Sequence, residues 1–215
     1  MSKTVKRILA AINFVSGSTI LLSVLFPIIS YELSAPVTLI SPLVEDGRYA
    51  VNTATTKAST WFEDGAKEED FISSEVKYYT MSIPKLGISG ATVTIGGEDL
   101  AKSLIHYPGT AVPGKTGNSV IFGHSALPLF FSPTNYKTIF STLPKLQKGD
   151  EIIVNYDGIT YKYVVETKFE VKPSDLQVLE QDRSDSFISL ITCVPPGDPR
   201  KPRRLVVRAR LVPYN

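Results

Sequence analysis

The chain has 215 residues, Lys+Arg 23 against Asp+Glu 21, one cysteine and two histidines. A formal net charge of +2, with no run of five like charges, argues against nucleic acid as the main partner. One thiol excludes an internal disulfide framework and any zinc site built on several thiolates, so no metal or cofactor is expected.

The first element is apolar. "MSKTVKR" carries Lys3, Lys6 and Arg7, and no charged residue follows from Ile8 to Ile29. As a helix, that segment would span about 33 Å at about 1.5 Å per residue, enough for a bilayer core of about 30 Å. Asn13, Ser16, Gly17, Ser18, Thr19 and Ser23 dilute it, and Pro27 would bend its end. Membrane helices tolerate such residues because hydroxyls bond back to the backbone. Residues 1–30 are therefore expected to form a cytoplasmic N-terminus and transmembrane anchor. A signal peptide cleaved near "ELSAP" is the alternative. Basic residues before the span and Glu32, Glu45 and Asp46 after it place the N-terminus in the cytoplasm and the rest outside the cell membrane.

Residues 31–75 read as an extracytoplasmic stalk, with Pro36, Pro42, "YAVNTATTKAST" and "EDGAKEED". A helix over 45–62 is the local expectation, although Tyr49, Thr56 and Trp61 make a sparse apolar stripe.

From Val76 the texture changes to short β-branched and aromatic runs separated by Gly, Pro, Asn and Asp. "VKYYTMSIPKLGI", "ATVTI", "NSVIFGH", "DEIIVNY", "ITYKYVVETKFEV", "SFISLITC" and "RRLVVRARLV" each read as strand. Asp157-Gly158 between two of them signals a hairpin. Ile159, Tyr161, Tyr163 and Val165 alternate, as in a strand with one buried side. "EDLAKSL" (98–104) and "YKTIFSTLPKL" (136–146) read as short helices. The fold class is mainly β: about seven or eight strands over 76–215 with few helices suggest a closed or nearly closed barrel, preceded by the N-terminal helix.

Four side chains carry chemical interest. His124 ends "NSVIFGH", Cys193 ends "SFISLITC" before a Pro-Pro-Gly turn, and Arg203 and Arg204 open the last run. Strand ends meeting loops are where a rigid scaffold presents side chains. A lone thiol is most often a small buried hydrophobe, and a reactive one needs an electropositive setting. Histidine and arginine supply that setting. An imidazole can shuttle the proton of a thiol nucleophile, and a guanidinium can steady the oxyanion formed on an amide carbonyl. With ordinary pKa values of about 8.5 and about 6.5, the active form would be a thiolate–imidazolium pair present as a fraction of the protein, giving a bell-shaped pH profile.

"IFGH" at 121–124, "LITC" at 190–193 and "RLVV" at 204–207 resemble motifs of bacterial sortases. So do "IPKLGI" at 83–88, "HYPGTAVPGKTGNSVIFGH" at 106–124 and "LQKGDEIIVNYDGITYKYVV" at 146–165, in the same order. The resemblance covers roughly residues 78–211. It implies a membrane-anchored cysteine transpeptidase on a closed β-barrel of about eight strands, with Cys193 as nucleophile, His124 as acid/base and Arg204 as oxyanion or substrate stabiliser. Such enzymes cut an LPXTG-like sorting signal between Thr and Gly. They hold the surface protein as a thioacyl enzyme and pass it to an amine, either a peptidoglycan precursor or a pilin lysine.

Some features depart from the pattern. The loop "VPPGDPRKPR" makes Arg203 a rival to Arg204, which directly precedes "LVV". "SALPLFFSPTN" after His124 is long and apolar, suited to wall a peptide groove or to pack on the core. The chain ends in "RLVPYN" without the second membrane segment of many pilin-polymerising relatives, and the acidic residues that form the calcium site of some relatives have no assigned counterpart in this sequence. His106 is expected to be structural. The alternative from another class is an exported, non-catalytic β-barrel that binds a peptide without cutting it.

Overall fold

A computed structural model describes residues 3–34 and 76–213. The helix expected over 45–62, and the stalk beyond Ser34, lie outside the described residues. Helix α1 (Lys3–Ser34) contains Pro27 and runs four residues past the expected end of the anchor. Its segment Arg7–Leu33 is long and apolar enough to cross a membrane.

Eight strands follow: β1 (Tyr78–Ile83), β2 (Ile88–Ile95), β3 (Leu104–His106), β4 (Gly117–Phe122), β5 (Glu151–Tyr156), β6 (Ile159–Val171), β7 (Ser186–Val194) and β8 (Arg203–Val212). They close a barrel in the order β1-β2-β3-β4-β7-β8-β6-β5. β2 runs parallel to β3, and β4 parallel to β7. Closure removes free sheet edges, so every strand finds backbone partners on both sides.

The local signals explain most of these elements. The run "VKYYTMSIPKLGI" is split by a 3-10 turn at Pro84–Leu86, which Gly87 ends at φ 68°. Asp157 (φ 51°) and Gly158 (φ 74°) form the tight turn joining β5 to β6, as the left-handed pair of a two-residue hairpin requires. Along β6 the alternating face deepens from exposed Ile159 to fully buried Tyr163 and Val165.

The two stretches expected to be helical are not. Residues 98–103 form turns leading into β3, and 136–146 form turns with one 3-10 segment, Leu143–Lys145. Asp99 and Asn135 explain part of this, since their side chains accept the N–H groups of Ala101 (3.0 Å) and Lys137 (3.1 Å). Such bonds stabilise turns at the expense of helix. Pro144 lies in the second stretch and cannot donate to a helical ladder.

Two apolar clusters organise the barrel. Met81, Ile83, Val93, Ile121, Tyr163, Leu190 and Val207 belong to the first, with Phe140 and Leu143 from the long β4–β5 connection. The second joins Val120, Phe122, Ile191, Cys193 and Val206 to Leu100 and Val178 from the connecting segments. Because side chains alternate along a strand, the second cluster covers the other face of β4, β7 and β8. The candidate site sits at one end of that second face.

Candidate active site

Strand register brings the three side chains into a row. Cys193 on β7 lies directly opposite Arg204 on β8, so both point to the same side of the sheet. β4 runs alongside β7 with Phe122 opposite Ile191. Extending the two chains by two residues places His124 beside Cys193, and His124 shares the face of Val120 and Phe122. Hydrogen bonds continue the pairing past the end of β4. Gly123 N donates to Ile191 O (3.1 Å), Thr192 Oγ1 to Gly123 O (2.7 Å) and Ser125 Oγ to Cys193 O (2.6 Å). Phe140 N donates to the His124 carbonyl (2.9 Å).

Gly123 is where this approach demands a small residue. A Cβ there would lie 2.4 Å from Phe140 and 2.6 Å from Leu104, both fully buried. The backbone entering His124 is thus pressed against the core.

All three side chains are buried: Cys193 is 4%, His124 7% and Arg204 7% exposed. Burial, with the Lys201 ammonium next in importance, pushes the His124 pKa down to about 4. The Asp99 carboxylate works the other way, and Lys137 adds a small downward push. The imidazole is therefore neutral at pH 7, able to accept a proton as a base. Burial also lowers the pKa of Lys201, which the Cys193 charge partly offsets.

Arg203 points elsewhere. Its Nε pairs with Glu170 (3.2 Å) and its Nη2 with Glu32 of α1 (2.6 Å), while Tyr31 Oη donates to Glu170. Arg204 Nη1 instead donates to the carbonyls of Lys201 (2.9 Å) and Arg203 (3.4 Å). His106 also lies apart from the row, fully inside the barrel, with Nδ1 2.9 Å from Tyr79 Oη and Nε2 3.1 Å from Thr110 Oγ1. The apolar stretch after His124 divides. Leu127 sits against Gly197 of the β7–β8 loop, whereas Leu129 and Phe130 face solvent.

Sequence reasoning did not find Asp99, Lys137 and Lys201, whose charges act on His124, or Ser125 and Thr192, which lock the strands together. Lone polar residues carry no local signal of the site they will face. Among the described residues, no group of three or more His, Cys, Asp or Glu side chains is placed to hold a metal ion.

The closed eight-stranded barrel thus aligns a thiol, an imidazole and a guanidinium along the ends of neighbouring chain segments. Residues 81–212 match the Sortase domain model, and the chain belongs to the sortase family. Sortase D of Bacillus subtilis (strain 168) is 27% identical over 118 residues, covering 54% of this chain and 53% of the relative. The chain thus spans about half the length of the curated relative it matches. Among solved structures, a lid mutant of sortase A from Corynebacterium diphtheriae is 31% identical, with TM-score 0.56 over 66% of this chain and 74% of that one. A Clostridium perfringens sortase D5 transpeptidase is 26% identical, with TM-score 0.53 over 68% and 93%. Sortase C-1 from Actinomyces oris is 29% identical, with TM-score 0.55 over 66% and 76%.

Proposed function

We propose that this chain is a membrane-anchored transpeptidase that cleaves an LPXTG-like sorting signal between Thr and Gly and transfers the surface protein to an amine. The observation that carries the reading is the row His124–Cys193–Arg204 across β4, β7 and β8. Neighbouring strands lie about 4.8 Å apart, which puts the three groups within reach of one peptide carbonyl.

The neutral His124 imidazole takes the Cys193 proton as Sγ attacks the Thr carbonyl carbon. The resulting oxyanion meets the Arg204 guanidinium, which stays charged throughout. Collapse breaks the C–N bond, and the His124 imidazolium returns its proton to the departing Gly amine. A thioester on Cys193 remains. In the second half, an acceptor amine attacks that thioester while His124 accepts the amine's proton. Expulsion of the Cys193 thiolate forms the new amide, and the proton returns to sulfur. A peptidoglycan precursor or a pilin lysine supplies the acceptor amine.

Helix α1 would hold this site at the outer face of the cell membrane, with Lys3, Lys6 and Arg7 retained in the cytoplasm. Residues 1–30 then serve as anchor, 31–75 as spacer and 76–215 as catalytic domain.

The test is incubation of the full chain in nanodiscs with LPXTG-like peptides plus hydroxylamine or glycine oligomers, read by mass spectrometry. Cleavage between Thr and Gly, with an acyl adduct mapped to Cys193, supports the reading. Undiminished cleavage by Cys193→Ala refutes it. A non-catalytic peptide-binding barrel would give peptide retention without products or adduct.

A further inference from the structure

The β7–β8 loop holds a buried carboxylate that the chemistry above does not use. Asp198 is 3% exposed. Its Oδ1 accepts the Arg200 backbone N–H (2.9 Å) and Nε (3.0 Å), and its Oδ2 accepts Arg200 Nη2 (2.6 Å). Arg200 itself is on the surface, its side chain 75% exposed. An exposed guanidinium has thus been folded back to answer a charge placed inside the loop. Burying a carboxylate is costly unless it is paired and hydrogen-bonded, and an ordinary surface turn needs no such group.

The backbone shows what the group organises. Asp198 N donates to Pro195 O (3.1 Å), and Lys201 N donates to Asp198 O (3.2 Å), so two successive turns pivot on this residue. Lys201 then adopts a left-handed backbone, φ 48°, which is uncommon for a residue with a side chain. That reversal presents the Lys201 carbonyl to Arg204 Nη1 at 2.9 Å. A carbonyl orients a guanidinium without cancelling its charge, as an electrostatic stabiliser of a developing oxyanion requires.

We infer that Asp198, clamped by Arg200, is a positioning residue for Arg204: it fixes the loop 195–201 so that the Lys201 carbonyl aims the guanidinium at the Cys193 side of the sheet. The inference rests on the assignment of Arg204 as oxyanion stabiliser. Asp198 touches no reacting atom, and its effect passes through Arg204.

A double-mutant cycle on the full chain in nanodiscs tests this, using an LPXTG-like peptide with a glycine oligomer as acceptor. Loss of orientation at a group facing the reacting centre costs on the order of 10- to 100-fold in rate. Asp198→Ala should lower kcat by about that factor and leave KM within about twofold. In the Arg204→Ala background the same substitution should cost nothing further, because the group it positions is gone. Arg200→Ala removes the clamp from the exposed side and covers the case in which Asp198→Ala does not fold. It should lower kcat in the native background and be silent beside Arg204→Ala. Equal losses in both backgrounds, or an unchanged kcat, would overturn the inference. Full turnover by Arg204→Ala alone would instead remove the assignment on which it rests.

Discussion

Acidification from neutral pH should destabilise this barrel first through its two histidines. His106 is buried inside the barrel between Tyr79 and Thr110, and burial pushes its pKa down to about 4. His124 is held at about the same value by burial and by Lys201. In the unfolded chain each would titrate near 6.5. Between these values the unfolded chain binds a proton at each histidine that the folded protein excludes. The folded pKa is the depressed one, so this stabilisation is whole above about pH 6.5 and is lost as pH falls towards about 4. Each histidine contributes about 3 kcal/mol over that window, and together they give a slope of about 2.7 kcal/mol per pH unit. Asp99 and Asp198 have pKa values lowered below 3.8, chiefly by hydrogen bonds, so most of their losses fall below about pH 4. Urea unfolding of the detergent-solubilised chain at several pH values between 7 and 4.5, followed by near-ultraviolet circular dichroism, measures the slope. His124→Gln should reduce it by about half. A stability independent of pH across the window, or an unchanged slope in His124→Gln, would refute the reasoning.

Other outcomes follow from the same geometry. Arg204→Ala should reduce turnover by on the order of 100-fold with peptide binding little changed, whereas Arg203→Ala should leave kcat within a few-fold. Steady-state kinetics of both variants decide whether the residue opposite Cys193 or the one paired with Glu170 carries the charge. Gly123→Ala forces a methyl against Phe140 and Leu104 and should cost about 1–3 kcal/mol in denaturant midpoint analysis. Turnover should fall with it, because the same backbone carries His124; a variant with native stability and activity would show that the contact relaxes freely. Protease added to right-side-out protoplasts should digest the barrel while the chain keeps residues 1–30. A mature N-terminus near Ala35 would show that the apolar segment is a cleaved signal peptide.

The local parts of the fold were legible because their causes are local. Runs of β-branched and aromatic residues, Asp157-Gly158 at a hairpin and the uncharged stretch from Ile8 to Ile29 act over a few neighbouring residues. The two misread segments failed at the same scale, where Asp99, Asn135 and Pro144 favour turns over helix. Motif resemblance singled out Cys193, His124 and Arg204 as chemistry-bearing groups. Nothing local, however, says that β4 and β7 lie side by side and parallel, a pairing made only when the barrel closes. That pairing turns the parity of His124, Cys193 and Arg204 along their own strands into a single row. Closure also seals His124 and His106 from water and turns the Lys201 carbonyl towards Arg204. Residue identity sets which groups can move a proton or bear a charge. Their protonation and aim depend on burial and on partners distant in sequence, and these exist only in the folded chain.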